Sequence, residues 1–167
     1  MGLLRFFIRR DLAELHRNGV NIRIIGERDH LDADLVSLID EAETLTKNNS
    51  KLRLLIAFNY GGKNEIASAM RRIAAEVEAG RLSAGDITPD TISAYLDTAG
   101  IPDPDLVIRT SGEKRLSNFL IWQSAYSELL FDDVFWPDFT PDHLRAAIAD
   151  FNGRQRRFGA VPAGNGS

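Results

Sequence analysis

VNIRIIGERDHLDADLVSLIDEAETLTKNNSKLRLLIAF, from Val20 to Phe58, is the stretch that decides the fold. It opens with Val20 to Ile25, which alternates as a strand does, and halts at Gly26. Asp32 to Lys47 then carries Leu35, Leu38, Ile39, Ala42 and Leu45 at a spacing that lines one face of a helix. Leu52 to Phe58 is a nearly continuous apolar run, as expected for a strand buried on both faces.

The same alternation of helix and strand continues on either side. Upstream, Leu3 to Asn18 has apolar residues at Leu4, Ile8, Leu12 and Leu15, with Gly19 as terminator. Downstream, Asn59-Tyr60-Gly61-Gly62-Lys63 leads into a helix from about Asn64 to Ala79, and Thr88-Pro89 reads as a cap and first turn of another ending near Gly100. Leu106 to Arg109 is a short buried strand. Ser117 to about Ser127 reads as helix, Leu129 to Phe131 as a strand, and Thr140-Pro141 as the start of a last helix reaching roughly Phe158. The expected fold class is therefore α/β, an open, mostly parallel sheet with helices on both faces. One domain is expected over residues 1–159, with a mobile tail over 160–167.

Composition narrows the function. With 44% hydrophobic and 26% charged residues, the 167-residue chain suits a soluble domain with a real core, and the net charge of −4 argues against a general nucleic-acid binder. The chain has no cysteine, which removes disulfides and thiolate chemistry and fits a reducing, cytoplasmic setting. His16, His30 and His143 are too far apart for a local metal motif, and no apolar run is long enough to span a bilayer.

In open α/β sheets, ligands bind outside the carboxyl ends of strands, and two segments stand there. One is Tyr60-Gly61-Gly62-Lys63, which is no P-loop and reads equally as a tight turn. The other is Asp105 to Phe139. Arg109 ends a strand, a turn brings back Arg115, and Ser117 opens the expected helix. Paired guanidiniums, free amides around Leu116 and a helix start would together cradle phosphate. An ion pair of Arg109 with Glu113 or a nearby aspartate, and Ser117 as a simple cap, are the plainer alternatives. Glu128 offers a carboxylate to a divalent cation bridging phosphates, or is an ordinary charge at an element boundary. Core packing, or after it a subunit interface, accounts for Trp122, Tyr126, Phe131, Phe135 and Trp136.

IRTSGEKRLSNFLIWQSAYSELLF with WPDF after it, NYGGKNEI, HRNGVNIRIIGERD and the closing RRFG together resemble the cis-prenyltransferases, in particular bacterial undecaprenyl diphosphate synthases. The resemblance covers nearly the whole chain. It implies that Arg109, Arg115, Leu116 and Ser117 hold the diphosphate of isopentenyl diphosphate and that Glu128 is associated with magnesium. Arg157-Phe158-Gly159 would supply Arg157 and Gly159 to the partner's diphosphate in a homodimer. The implied reaction adds isopentenyl diphosphate repeatedly to an allylic diphosphate, giving a polyprenyl carrier lipid for cell-wall synthesis, with at most peripheral membrane contact. Leu4, Phe7, Ile8, Leu54 and Ile56 are candidates for the wall of a product tunnel, although a plain hydrophobic core reads the same way.

One part of the pattern is absent. The 167 residues include no Met-Asp-Gly-Asn-Gly-Arg stretch and no Phe-Ser-x-Glu-x-Trp region, so no catalytic aspartate is identified and the first strand and helices of the family fold are missing. The expectation is a chain that keeps an isopentenyl diphosphate pocket but is inactive alone. A non-catalytic partner subunit or remnant is the alternative, and an unrelated α/β module binding a phosphorylated metabolite is a third reading.

Overall fold

The computed structural model describes residues 2–154, without the side chains of residues 2–5 and 7–9. The chain divides into two compact units at Gly100.

In the first unit the expected strand–helix–strand forms. Helix α1 (Gly2–Arg17) leads into β1 (Val20–Ile25), helix α2 (Ala33–Thr46) and β2 (Leu52–Ala57). The strands pair in parallel, from Val20 beside Leu52 to Ile25 beside Ala57. A helix between them is what allows the chain to return in the same direction. Leu12, Val20, Ile22, Ile24, Leu35, Leu38, Ile39 and Ala42 form the core, with Leu54 and Ile56 packed against it. Those two tunnel candidates thus serve the core; Leu4, Phe7 and Ile8 lie outside the described side chains. Leu45 faces solvent, and the next residue, Thr46, is buried in its stead.

Thr46 is buried because β1 needs it. Phe58 donates its amide to the Ile25 carbonyl, so odd-numbered β1 residues face β2 and even-numbered ones face outward. On that outer side the Ile22 amide donates to Thr46 Oγ1 (3.0 Å), the Ile24 amide to Glu43 Oε1 (2.7 Å) and the Gly26 amide to Asp97 Oδ2 (3.2 Å). Asn49 Nδ2 donates to the Val20 carbonyl at 2.8 Å. Side chains thus satisfy four peptide groups of an edge that would otherwise leave them open.

Helix α3 (Gly62–Glu78) begins at the glycine pair itself, with Gly61 as its N-cap. Helix α4 (Pro89–Ala94) has the expected Thr88 cap, Thr88 Oγ1 accepting from the Thr91 amide, but turns follow it instead of helix as far as Gly100.

The second unit holds β3 (Leu106–Arg109) and β4 (Glu128–Phe131), again parallel, with Leu106 beside Glu128 and Arg109 beside Phe131. The helix expected from Ser117 to about Ser127 is not there. Ser117, Asn118 and Leu120 have φ of 49°, 64° and 43°, a left-handed conformation that right-handed helix cannot contain, and the segment closes in successive turns. Phe119 donates to the Leu116 carbonyl at 3.1 Å and Ser124 to that of Leu120 at 2.8 Å. Helix α5 (Pro141–Gly153) ends sooner than expected, because Arg154 turns extended at φ −81°, ψ 142°. The expected tail lies outside the described residues, and no helix among those described is long and apolar enough to cross a membrane.

Candidate functional site

At the carboxyl end of β3 the chain makes a turn fixed by its backbone. The Asp132 amide donates to the Arg109 carbonyl (2.8 Å), Ser111 to that of Val134 (2.8 Å) and Gly112 to that of Asp132 (2.9 Å). The segment after β4 therefore straps down the turn after β3. Ser111 takes a φ of 71° to do so. Four of the five non-glycine residues with positive φ in the described chain fall between Ser111 and Leu120, and such strain persists only where the surroundings impose it.

Beyond the strap the groups become available. Arg115 Nε donates to Ser117 Oγ at 3.1 Å, and Arg115 Nη1 pairs with Glu113. The backbone amides from Glu113 to Ser117 have no acceptor among the described residues. The guanidinium of half-buried Arg109 has neither a hydrogen bond nor an ion pair there, which removes the expected alternative of a pair with Glu113. Arg115, Ser117 and the Leu116 amide are thus brought together, and Arg109 stands at the end of the strand from which the turn departs. A helix dipole contributes nothing, since the helix is absent. Unpaired amides beside consecutive left-handed residues resemble instead the concave nests that bind anions.

Glu128 is placed elsewhere. It is the first residue of β4, level with Leu106, whereas Arg109 is the last of β3, level with Phe131. Its Oε2 accepts from Arg154 Nη1 at 2.9 Å, and Arg154 also bonds the Leu129 carbonyl (3.1 Å) and Asp150 Oδ2. The hydrogen bond to Glu128, then that to Asp150, hold the Arg154 guanidinium above its ordinary pKa. Glu128 Oε1 has no partner among the described residues.

No group of three or more His, Cys, Asp or Glu residues that could cage a metal occurs among the described residues. Glu128 offers one carboxylate oxygen oriented by Arg154 and one, Oε1, open among the described residues, a donor that suits a cation whose shell is completed by others. Magnesium takes few protein ligands when substrate phosphates complete its shell. Arg157 and Gly159 lie outside the described residues.

The Tyr60-Gly61-Gly62 loop proves to be a latch. Tyr60 Oη donates to Glu65 Oε2 (2.5 Å) and the Asp97 amide to Glu65 Oε1 (2.8 Å), with Glu65 only 5% exposed. A cleft of about 170 Å³ beside it is lined by Glu27, Asp29, Glu65 and Asp97 as well as Arg71, a poor lining for phosphate. Sequence reasoning passed over Glu65 and Asp97, because nothing local marks a buried carboxylate among many exposed ones. His143 caps α5, its Nδ1 accepting from the Thr140 amide at 3.0 Å, and His16 Nδ1 lies 3.2 Å from Asn49 Nδ2.

A family model described as putative undecaprenyl diphosphate synthase matches residues 1–159. An isoprenyl transferase of Bradyrhizobium diazoefficiens is 58% identical over 162 residues, covering 97% of this chain and 64% of that protein. Two solved structures are also similar. Lavandulyl diphosphate synthase from Lavandula x intermedia, in complex with dimethylallyl diphosphate, superposes with a TM-score of 0.89 at 38% identity, covering 93% of this chain and 67% of that one. A probable undecaprenyl diphosphate synthase from Campylobacter jejuni gives 0.82 at 30% identity, covering 95% and 72%. The chain spans just under two thirds of the length of the curated relatives it matches.

Proposed function

The chain belongs to the undecaprenyl diphosphate synthase family, and on that basis we propose that it supplies the isopentenyl diphosphate pocket of a cis-prenyltransferase. The observation that carries the reading is the cradle after β3. Arg115 and Ser117 are in contact, the amides from Glu113 to Ser117 take no acceptor, and the Arg109 guanidinium is unpaired among the described residues. Arginine forks match phosphate oxygens two at a time, and unpaired amides add further donors.

In the proposed reaction the allylic carbon–oxygen bond breaks as diphosphate leaves. The double bond of isopentenyl diphosphate attacks the allylic carbon, and loss of a proton leaves a new cis double bond. This chain's residues hold and orient. Arg109, Arg115, Ser117 and the Leu116 amide fix the diphosphate of the attacking substrate, which raises the effective concentration of its double bond at the allylic carbon. Magnesium, which Glu128 would help hold, would supply charge neutralisation at diphosphate. The assembly is a homodimer, the location cytoplasmic with at most peripheral membrane contact, and the product a long-chain polyprenyl diphosphate such as the undecaprenyl carrier.

The test is calorimetric titration with isopentenyl diphosphate. Arg109→Ala and Arg115→Ala should each weaken binding by roughly tenfold or more, as loss of a charge-assisted hydrogen bond predicts. Unchanged affinity in both variants would overturn the assignment. Because the 167 residues include no Asp-Gly-Asn-Gly-Arg segment, they should not incorporate labelled isopentenyl diphosphate by themselves.

A further inference from the structure

The outer side of β1 walls a cavity of about 450 Å³, a size usual for small-ligand sites. Its lining belongs to the first unit and shares no residue with the cradle after β3. Arg23, Arg28, Lys47, Glu43 and Asp97 are the charged side chains around it, and both carboxylates are already engaged. Glu43 accepts from the Ile24 amide (2.7 Å) and takes Arg28 Nη2 on its two oxygens (3.0 and 2.9 Å), while Asp97 Oδ2 accepts from the Gly26 amide (3.2 Å). Arg28 is engaged with them, since its Nη1 pairs with Asp40 at 2.8 Å.

That leaves two cations. Neither Arg23 nor Lys47 has an ion pair among the described residues. Lys47 ends α2, where the helix dipole favours a cation with or without a ligand. Arg23 has no such explanation. Half-buried, it makes a single hydrogen bond among the described residues, from Nη1 to the Ala99 carbonyl at 3.4 Å, so most of its guanidinium donors stay open. A charged group partly withdrawn from water with its donors open is best satisfied by an oxyanion.

We infer that this cavity binds a small phosphate ester, its phosphate held by Arg23 and Lys47 and a hydroxyl group donating to the Ile22 carbonyl. A carboxylate would be satisfied by the arginine fork alone, whereas phosphate has a further oxygen for the point charge of lysine. The Ile22 carbonyl faces outward like the Ile22 amide, and no described group donates to it. Ile22, Ile24 and Ile25, which also border the cavity, are at most 6% exposed, so they offer it peptide groups and not hydrocarbon. Such a wall suits a ligand rich in hydroxyls.

The probe is ribose 5-phosphate, titrated by calorimetry into the 167-residue chain carrying Arg109→Ala and Arg115→Ala, so that the cradle proposed above does not contribute. Saturable binding should persist, and the amide resonances from Ile22 to Gly26 should move as it saturates. Adding Arg23→Gln should weaken it by at least about tenfold, as loss of charge-assisted bonds predicts, and adding Lys47→Gln by roughly threefold. Lys47 is exposed, so its variant tests the site without disturbing the core. Inorganic phosphate should compete, and ribose and acetate should not.

Affinity unchanged by both substitutions would overturn the inference, as would the absence of saturable binding up to on the order of 10 mM, an affinity too weak for a built site. Binding by the unaltered chain that vanishes with Arg109→Ala and Arg115→Ala would place the probe in the cradle, overturning this inference while leaving the proposed function intact. Acetate competing as well as phosphate would overturn the assignment to phosphate esters.

Discussion

Arg115 and Ser117 were legible as residues because arginine, hydroxyl and strand end stand close in sequence, and the structure brings two of the three into contact. What sequence could not show is the backbone that presents them, since left-handed conformations at Ser117, Asn118 and Leu120 have no glycine to betray them. A leucine at φ 43° is strained, and Leu120→Gly should relieve that strain. We expect higher thermal stability together with weaker diphosphate binding, measured by melting and titration on the same sample, because the loop loses its fixed shape. Ser124 gives a second residue-scale prediction. Its hydroxyl is buried with no hydrogen-bond partner among the described residues, so Ser124→Ala should be neutral or stabilising by up to about 1 kcal/mol in urea unfolding.

Among elements, β1, α2 and β2 could be read from their periods, and they form within a residue or two of expectation. The error at 117–127 came from the same rule. Its apolar spacing matched a helix, yet the turns bury Gln123 and Ser124 while Tyr126 is exposed, a pattern period alone does not reveal. The polar face of α2 was equally opaque. Thr46 and Glu43 look like helix surface in sequence but cap the amides of Ile22 and Ile24. Thr46→Val keeps the shape and removes the acceptor, leaving a buried amide unsatisfied. Chemical denaturation should show a loss of about 1–3 kcal/mol. Gly26 belongs to the same edge. A Cβ there would lie 2.2 Å from the Phe58 carbonyl oxygen at a φ of 118°, so Gly26→Ala should cost at least about 2 kcal/mol by the same measurement.

For the whole molecule, the parallel α/β class was legible from the alternation of periods, and both strand pairs are parallel, β1 and β2 joined through helix α2 and β3 and β4 through successive turns. The placement of Glu128 was not, since sequence order says nothing about which end or face of a strand pair a residue occupies. The net charge of −4 gives a prediction at this scale: at physiological salt the chain should not shift duplex DNA in a gel, despite its arginines, because 24 acidic residues outnumber its 20 lysines and arginines. The outer border of β1 has a further consequence. Thr46, Glu43, Asp97 and Asn49 occupy four of its outward peptide groups, so a ribbon pairing there would have to displace them, whereas Arg53, Leu55 and Ala57 turn theirs outward along the β2 flank without such cover among the described residues. Addition of a further strand to this sheet therefore costs less at β2 than at β1.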